Sequence, residues 1–342
     1  MNNALFVGID VSSKQNVAYI MKPDGDKHSS FSVPNNRPGA EALVDRIVEV
    51  LQKLFIPKVV IGMESTSVYG DNLMYFLRET GKLSGFEKKL HMLNPKQVKK
   101  FKDSYSDLPK NDFVDAFIIA DHLRFGRINK EVYMSDYRFE ALKALTRARH
   151  QTVQSLTREK QRFLNQLFMK FSGFTQENIF SNKFGAAASA ILEEFESVDE
   201  LAYMDPNELA AFIQKHGKGR FENVDEIVSV LQKAAKNSYR PPTVIADSVN
   251  QILAISMSTI RLLQGQIKEY DKAIEKQFST IPNTLTSVKG IGPVYAAGII
   301  AEVGDISRFP SQASLAKYAG LTWTQNQSGG FEAEDHKLIK SG

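Results

Sequence analysis

Hydrophobic and polar positions near the N-terminus alternate in short runs that are typical of β-strands. Residues 4–10 (ALFVGID) and 16–21 (NVAYIM) are mostly apolar and are joined by the polar stretch VSSKQ, so they predict two antiparallel strands. Residues 29–33 predict a third strand. Over residues 39–54 the apolar positions recur every three or four residues, which indicates a helix.

The next part of the chain alternates between patterns typical of strands and patterns typical of helices. The apolar run PKVVIGMES predicts a strand, residues 69–79 predict a helix, KLHMLNP predicts a last short strand before Pro95, and residues 112–125 predict a strongly patterned helix. Three early strands followed by alternating helices and strands is the element order of an RNase H-like domain. We therefore predict an α/β domain of this class over residues 1–128.

The middle of the chain, residues 129–280, predicts long helices. Residues 138–170 contain eight Lys or Arg and only two Glu beside an apolar stripe, which predicts a basic amphipathic helix that faces either nucleic acid or solvent. Arg147 and Arg158 are its candidate nucleic-acid contacts. Residues 243–278 have apolar positions at steps of three or four, as in a coiled-coil seam. Residues 171–242 between them predict a helical insert.

The composition excludes few classes of protein. A chain of 342 residues predicts ~2 to 3 domains. The absence of cysteine excludes disulfides, thiolate metal sites and cysteine nucleophiles. No signal segment or apolar run of the ~20 residues that a bilayer span needs is present, so we expect a cytoplasmic protein without a membrane partner. A net charge of +4 fits a soluble enzyme and a nucleic-acid binder alike.

Four acidic residues carry the strongest chemical signal. Asp10 and Glu64 end two predicted strands, and Asp112 and Asp115 open the last helix of the predicted α/β domain, where residues three apart share a face. Carboxylates are the ligands that Mg²⁺ and Mn²⁺ prefer, and two such ions roughly 4 Å apart can stabilise both the entering and the leaving oxygen of a phosphoryl displacement. We therefore predict a two-metal catalytic site.

Each acid also has a purely structural interpretation. Asp112 with Asp115 resembles a helix N-cap followed by a charged third position. Asp10 could cap the VSSKQ turn, and Glu64 could be a solvated strand end. An acid directly after FVGI or VVIGM is costly in a buried strand unless it is paired or bound to metal, so the joint pattern favours the metal site.

Several motifs resemble a known family. FVGIDVSSKQ, IGMESTSVYG, NPKQVKKF and KNDFVDAFIIADHLR resemble the N-terminal DEDD domain of the insertion-sequence-110 family of transposases, which includes the Piv-type DNA invertases. Residues 287–330, from SVKGIGPVYAAG to TQNQSGG, are similar to the C-terminal transposase domain of that family. The resemblance implies a RuvC-like metal site at the four acids. Asn111 stands where the family usually has threonine, and asparagine can still cap the helix.

The resemblance also implies a nucleophilic serine, at Ser328, in a C-terminal domain over residues 281–342. Without the resemblance, SGG is typical of a flexible loop. No catalytic triad is evident, although His336 and Lys337 are close in sequence, so metal ions at the acidic site would have to activate the phosphate. The stretch 332–335 is acidic where the family tends to be basic. Family members continue past LIKSG, so we expect the C-terminal domain to be truncated.

The segment VKGIGPVYAAGII has its own interpretation. Gly290 and Gly292 would let backbone N–H groups approach a ligand closely, and Pro293 suits a first helical turn. With Lys289 this predicts a helix-hairpin-helix-like cradle that binds nucleic-acid phosphate without reading sequence. A tight turn between two helices explains the same residues, because G-x-G alone is weak evidence.

The hypothesis is therefore a DNA transposase or recombinase of a mobile element that uses Mg²⁺ at the acids and a serine–DNA intermediate. The resemblance further implies donor and target DNA, a structured non-coding (bridge) RNA, and homodimers that pair into tetramers. Three alternatives stay open. They are a metal-dependent Holliday-junction-type nuclease that uses water, an actin-like ATPase or sugar kinase suggested by GID before a hairpin turn, and a non-catalytic nucleic-acid binder.

Overall fold

The chain divides into two compact units, Met1–Met134 and Ser135–Gly342. The computed structural model describes residues 3–65, 67–106, 108–126 and 136–323, together with 327–328, 331–332 and 338. The helical middle and the C-terminal segment fall in the same unit, whereas the sequence predicts a boundary between them near residue 280.

The first unit is built on a five-stranded sheet of order β3-β2-β1-β4-β5. Its strands are β1 (Ala4–Val11), β2 (Gln15–Met21), β3 (Lys27–Pro34), β4 (Lys58–Glu64) and β5 (Glu87–Leu93). The first three strands are antiparallel, and β4 and β5 run parallel to β1. The predicted element order is confirmed, as is a mixed α/β architecture for this part of the chain.

Helices cover both faces of that sheet. They are α1 (Arg37–Lys53), α2 (Asp71–Glu79), α3 (Pro95–Lys102) and α4 (Asp112–Phe125), with short 3-10 helices at Ser67–Gly70 and Gly81–Leu83. The patterned helix over 112–125 is confirmed. The helix predicted over 69–79 begins two residues later, after a 3-10 turn. No helix was predicted for α3, although Asn94 and Pro95 form a recognisable start signal, with the Asn94 side chain accepting from the Lys96 N–H.

Two apolar cores lie on opposite faces of the sheet because strand side chains alternate. Leu5, Val7 and Ile9 of β1 pack with α1 and α2 in one core. Phe6 of β1 packs with α4 residues such as Ile119 in the other. The even-numbered positions of β1 therefore face α4.

The second unit is mainly helical. Its elements are α5 (Tyr137–Lys170), α6 (Ser172–Gln176), α7 (Ala186–Glu194), α8 (Val198–Tyr203), α9 (Pro206–Gly217), α10 (Val224–Lys236), α11 (Thr243–Phe278), α12 (Pro293–Val303), α13 (Gln312–Tyr318), β6 (Gln327–Ser328) and β7 (Phe331–Glu332). Short 3-10 helices lie at Leu285–Ser287 and Ile306–Arg308. The long helices predicted at 138–170 and 243–278 and the helical insert between them are confirmed.

Helices α5 and α11 pack against each other and run in opposite directions. Arg149 pairs with Asp271, and farther along α5 the Ser256 hydroxyl donates to Glu159 at 2.6 Å. Buried residues of the α11 seam belong to two cores. Leu253 and its neighbours pack with the insert helices α6 to α10, whereas Ile274 and Phe278 pack with α12.

Among the described helices none is long and apolar enough to cross a membrane.

Candidate active site

Strand alternation places two of the predicted acids on one face of the sheet. Asp10 lies an even number of residues after Phe6 on β1, and Glu64 an even number after Val60 on β4, so each acid is on the same face of the sheet as that residue. Phe6 and Val60 both belong to the core that packs against α4. Since β1 and β4 are parallel neighbours, their carboxyl ends emerge at the same edge. Asp10 and Glu64 therefore meet the helix that carries the other two acids.

Two glycines allow that helix to approach the sheet closely. Gly8 and Gly62 are paired across β1 and β4. A Cβ on Gly8 would lie 2.1 Å from the carbonyl oxygen of Ala116 in α4, and a Cβ on Gly62 would lie 2.8 Å from the Leu123 side chain. Helix α4 thus rests directly on the backbone of β1, two residues before Asp10.

The start of α4 is fixed by Asn111. Its side-chain oxygen accepts a hydrogen bond from the Val114 N–H at 2.9 Å, so Asn111 is the N-cap. The interpretation of Asp112 as the N-cap is therefore wrong, because Asp112 is the first residue inside the helix. Asp112 and Asp115 both lie in the first turn, where the helix dipole favours negative charge.

The four carboxylates act on one another electrostatically. Burial, followed by repulsion from Asp115, Asp112 and Glu64, raises the pKa of Asp10 from 3.8 to about 6. Burial and repulsion from Asp115 also raise the pKa of Glu64, while Lys102 opposes that rise. Like charges shift one another's pKa in this way when they lie within several ångströms of one another. These shifts support the prediction that the four acids form one site, which stays a prediction.

Lys102, the last residue of α3, places a cation at this cluster. Its ammonium lies 2.5 Å from Asp115 Oδ1, and both side chains are about two-thirds buried. As they stand, no three His, Asp or Glu side chains in the described ranges are arranged to hold a metal ion together. The donor chemistry nevertheless fits Mg²⁺ or Mn²⁺, since carboxylate oxygens are the ligands that these ions prefer. The sequence analysis did not predict Lys102 as a residue of this site. The signal that could have indicated it is the run of lysines in NPKQVKKFK.

The glycine segment before α12 has the backbone geometry that its sequence predicts. Gly290 has φ +93°, a conformation that favours glycine, and a Cβ on Gly290 or Gly292 would meet no atom within 4 Å. Helix α12 begins at Pro293 without a side-chain cap on its N–H groups. Lys289 is exposed beside them. The N-terminal amides are therefore open, and phosphate binding by them stays a prediction.

The two candidate arginines of α5 differ in their surroundings. Arg147 makes two hydrogen bonds to the Glu302 carboxylate, at 2.6 and 2.9 Å, which hold α5 to α12. Arg158 is exposed. Arg147 therefore has a structural partner that its sequence context did not reveal, whereas Arg158 is open to a ligand.

Ser328 belongs to a short strand. Its backbone pairs with that of Phe331 in the antiparallel ladder of β6 and β7. Its side chain and residues 333–337, including His336, lie outside what the structure describes.

Comparison with known families decides what the chain is. A family model for IS110 transposases whose name carries DEDD, described as "Transposase", matches residues 7–171. A second model, described as "Transposase IS116/IS110/IS902 family", matches residues 283–342, so together they cover more than half of the chain. The chain belongs to the IS110 family of transposases. It is accordingly an enzyme of DNA strand cleavage and transfer.

Relatives of this transposase match over nearly its full length. An uncharacterized 44.8 kDa protein of insertion element IS116 from Streptomyces clavuligerus is 23% identical, over 98% of this chain and 80% of the relative. An uncharacterized 43.6 kDa protein of insertion element IS110 from Streptomyces coelicolor is 23% identical, over 95% of this chain and 77% of the relative.

Solved structures are similar over a smaller region. The RuvC structure of Thermus thermophilus has a TM-score of 0.27 and 16% identity, and the match covers 37% of this chain and 98% of RuvC. RuvC from T. thermophilus in complex with a Holliday junction substrate has the same TM-score with 14% identity.

Proposed function

We propose that this transposase cuts and rejoins DNA at an RNase H-like (RuvC-like) metal site formed by Asp10, Glu64, Asp112 and Asp115. The observation that carries the proposal is the placement of β1, β4 and α4: β1 and β4 are parallel neighbours, and Ala116 of α4, next to Asp115, contacts Gly8 two residues before Asp10. The pKa of Asp10, raised by burial and then by repulsion from the other three acids, supports it. A cluster of this charge is unfavourable unless a cation binds it. Carboxylate oxygens select hard divalent cations, so Mg²⁺ or Mn²⁺ is the cofactor.

Strands β1 and β4 and helix α4 each position different acids of that site. Strand ends present Asp10 and Glu64, and the first turn of α4 presents Asp112 and Asp115 from the opposite side. Bound metal ions would polarise the scissile phosphate and stabilise charge on the entering and leaving oxygens. The close contact at Gly8 fixes the depth of α4 and hence the spacing of its two acids from β1.

We propose Ser328 as the nucleophile. As its Oγ–phosphorus bond forms, the phosphorus–oxygen bond of the DNA strand breaks; the hydroxyl proton is released and the leaving oxygen is protonated. The new phosphodiester conserves the bond, so the same serine can hand the strand to a new partner when the step is reversed. The support for this assignment is the family model over residues 283–342, which includes Ser328.

The remaining parts of the proposal concern partners. Donor and target DNA follow from the transposase family, and the open N-terminus of α12 with Lys289 is our candidate phosphate cradle. A structured non-coding RNA as guide, and homodimers that pair into tetramers, are carried over from the family resemblance.

The deciding experiment looks for a covalent adduct. Incubation of the full chain with cognate DNA, RNA and Mg²⁺ should give a protein–DNA adduct that survives denaturant, and chelation of the metal should prevent it. Ser328→Ala should abolish the adduct, and Asp10→Asn should reduce it by orders of magnitude. Asp45→Asn, which changes an exposed carboxylate on α1, should not. An adduct that persists in Ser328→Ala means that another group is the nucleophile; an unchanged reaction in Asp10→Asn removes the metal hypothesis.

A metal-dependent nuclease that uses water is the second candidate. It is favoured by one observation, namely that all four acids belong to the same compact unit of the chain. Its products would be unlinked strand ends, unaffected by Ser328→Ala. Membership of a transposase family argues against the sugar kinase and against a binder without catalysis.

A further inference from the structure

One side-chain amide joins the two loops that follow the catalytic strands. Asn35 Nδ2 donates to the carbonyl oxygen of Ser12 at 2.8 Å and to that of Tyr69 at 3.2 Å. Ser12 comes two residues after Asp10, and Tyr69 comes five residues after Glu64. Both hydrogens of the Asn35 amide are thereby used on backbone groups at the carboxyl edge of the sheet.

Hydrogen bonds fix both the backbone and the side chain of Asn35. Its backbone N–H donates to the Lys14 carbonyl at 2.9 Å, which ties the end of β3 to the turn between β1 and β2. Its side-chain oxygen accepts from Asn16 Nδ2 at 3.2 Å, and Asn16 is only 1% exposed. A buried donor therefore fixes which way the Asn35 amide points, so its N–H groups face the two carbonyls.

The sheet alone does not supply this restraint. The parallel ladder between β1 and β4 ends at the pair Ile9 and Met63, one residue before each catalytic acid. Asp10 is paired with β2 and Glu64 with β5, but the two acids are not paired with each other. The like charges of the two acids also repel each other. Something past the end of the ladder has to keep the two segments at a fixed separation.

We propose that Asn35 is a positioning residue of the acid cluster, which it serves by clamping the Ser12 and Tyr69 carbonyls so that Asp10 and Glu64 keep the spacing that one metal site requires. This inference rests on the proposed function of the acids. It assigns Asn35 no contact with metal or DNA. Groups that orient metal ligands typically change metal affinity by about 10- to 100-fold when they are removed.

Mn²⁺ titration of the full chain by calorimetry, without nucleic acid, tests the clamp. Asn35→Ala should weaken Mn²⁺ binding by about tenfold or more while the far-ultraviolet circular dichroism stays unchanged. The matched control is the neighbouring Asn36→Ala. Asn36 caps α1 by accepting from the Gly39 N–H at 2.9 Å, so its loss should lower the denaturation midpoint and leave Mn²⁺ affinity as in the wild type. A merely structural role for Asn35 predicts that the two variants behave alike.

A second variant covers the case in which Asn35→Ala does not fold. Asn16→Ala removes only the donor that orients Asn35, and it should weaken Mn²⁺ binding by less than Asn35→Ala but measurably. Wild-type affinity in a folded Asn35→Ala, or in Asn16→Ala when the first variant is unfolded, overturns the clamp. So does an equal loss in Asn36→Ala. If the wild-type chain does not bind Mn²⁺, or Asp10→Asn binds it equally well, the acid-cluster proposal itself fails and the clamp fails with it.

Discussion

The Lys102 ammonium lies 2.5 Å from Asp115 Oδ1, at the edge of a cluster that contains three further carboxylates. Both partners are partly shielded from water, so their attraction is weakened less than that of an exposed pair. Lys102 also opposes the rise in the pKa of Glu64. In the metal-free protein it is therefore a counter-cation for the acids, and a divalent ion bound to Asp115 must compete with it.

Replacing Lys102 should make metal binding tighter. Lys102→Met keeps the length of the side chain but removes the charge, so Mn²⁺ no longer competes with an ion pair worth about 1 kcal/mol, the upper end of the range for exposed pairs. The affinity should therefore rise about fivefold. Calorimetry at pH 8 and low salt measures the change. Lys99→Met, on an exposed lysine of the same helix, is the control. Weaker binding in Lys102→Met would show that the lysine orients Asp115 for the metal.

The raised pKa of Asp10 predicts how the metal-free protein responds to pH. The unfolded chain releases the Asp10 proton near pH 3.8, whereas the folded chain keeps it up to about pH 6. The native state binds more protons across that window, so stability falls as the pH rises through it. Urea denaturation with chelator present, between pH 4 and 7, should show this decline.

The Asp10→Asn variant isolates the contribution of that one carboxyl. Its urea midpoint should depend less on pH between 4 and 6 and should exceed the wild-type midpoint at pH 7, because the repulsion of a buried charge is gone. Added Mn²⁺ should stabilise the wild type more at pH 7 than at pH 5, since metal binds only the deprotonated acid. Superimposable pH profiles of the two proteins without metal would show that Asp10 does not titrate as inferred.

The contact of α4 with β1 predicts unequal effects at two paired glycines. Gly8→Ala would place a methyl 2.1 Å from a backbone oxygen of α4, which cannot move without displacing the helix, so the destabilisation should reach about 3 kcal/mol or more. Gly62→Ala meets only the flexible end of Leu123 and should cost clearly less. Chemical denaturation of both variants measures the difference. Equal losses would mean that α4 is free to shift.

Local sequence signals were sufficient for the five strands and for α4, and they made the four acids the candidate site. Short continuous apolar runs define β1 and β4, and Asp10 and Glu64 follow from their ends; the cap Asn111 and the apolar residues after it define α4. Side-chain contacts between residues far apart in the sequence could not be predicted from local patterns. Lys102 reaches Asp115 only because α3 packs beside α4, and the partner of Arg147 is 155 residues away. Periodicity reports which face of an element is buried, but not which charged residue of another element meets it.

Periodicity also could not show that Arg147 and Arg158 differ as candidate nucleic-acid ligands. Arg147 already binds Glu302, so Arg147→Gln should lower stability by about 1 kcal/mol or less and change DNA affinity little. Arg158 is exposed, and if it contacts phosphate, Arg158→Gln should weaken binding and reduce the slope of log K against log salt by about 0.9. Fluorescence anisotropy with duplex DNA at several salt concentrations, beside urea denaturation, measures both. A reduced salt slope in Arg147→Gln with unchanged stability would reverse the assignment, because it would show that the Glu302 pair opens to admit the phosphate.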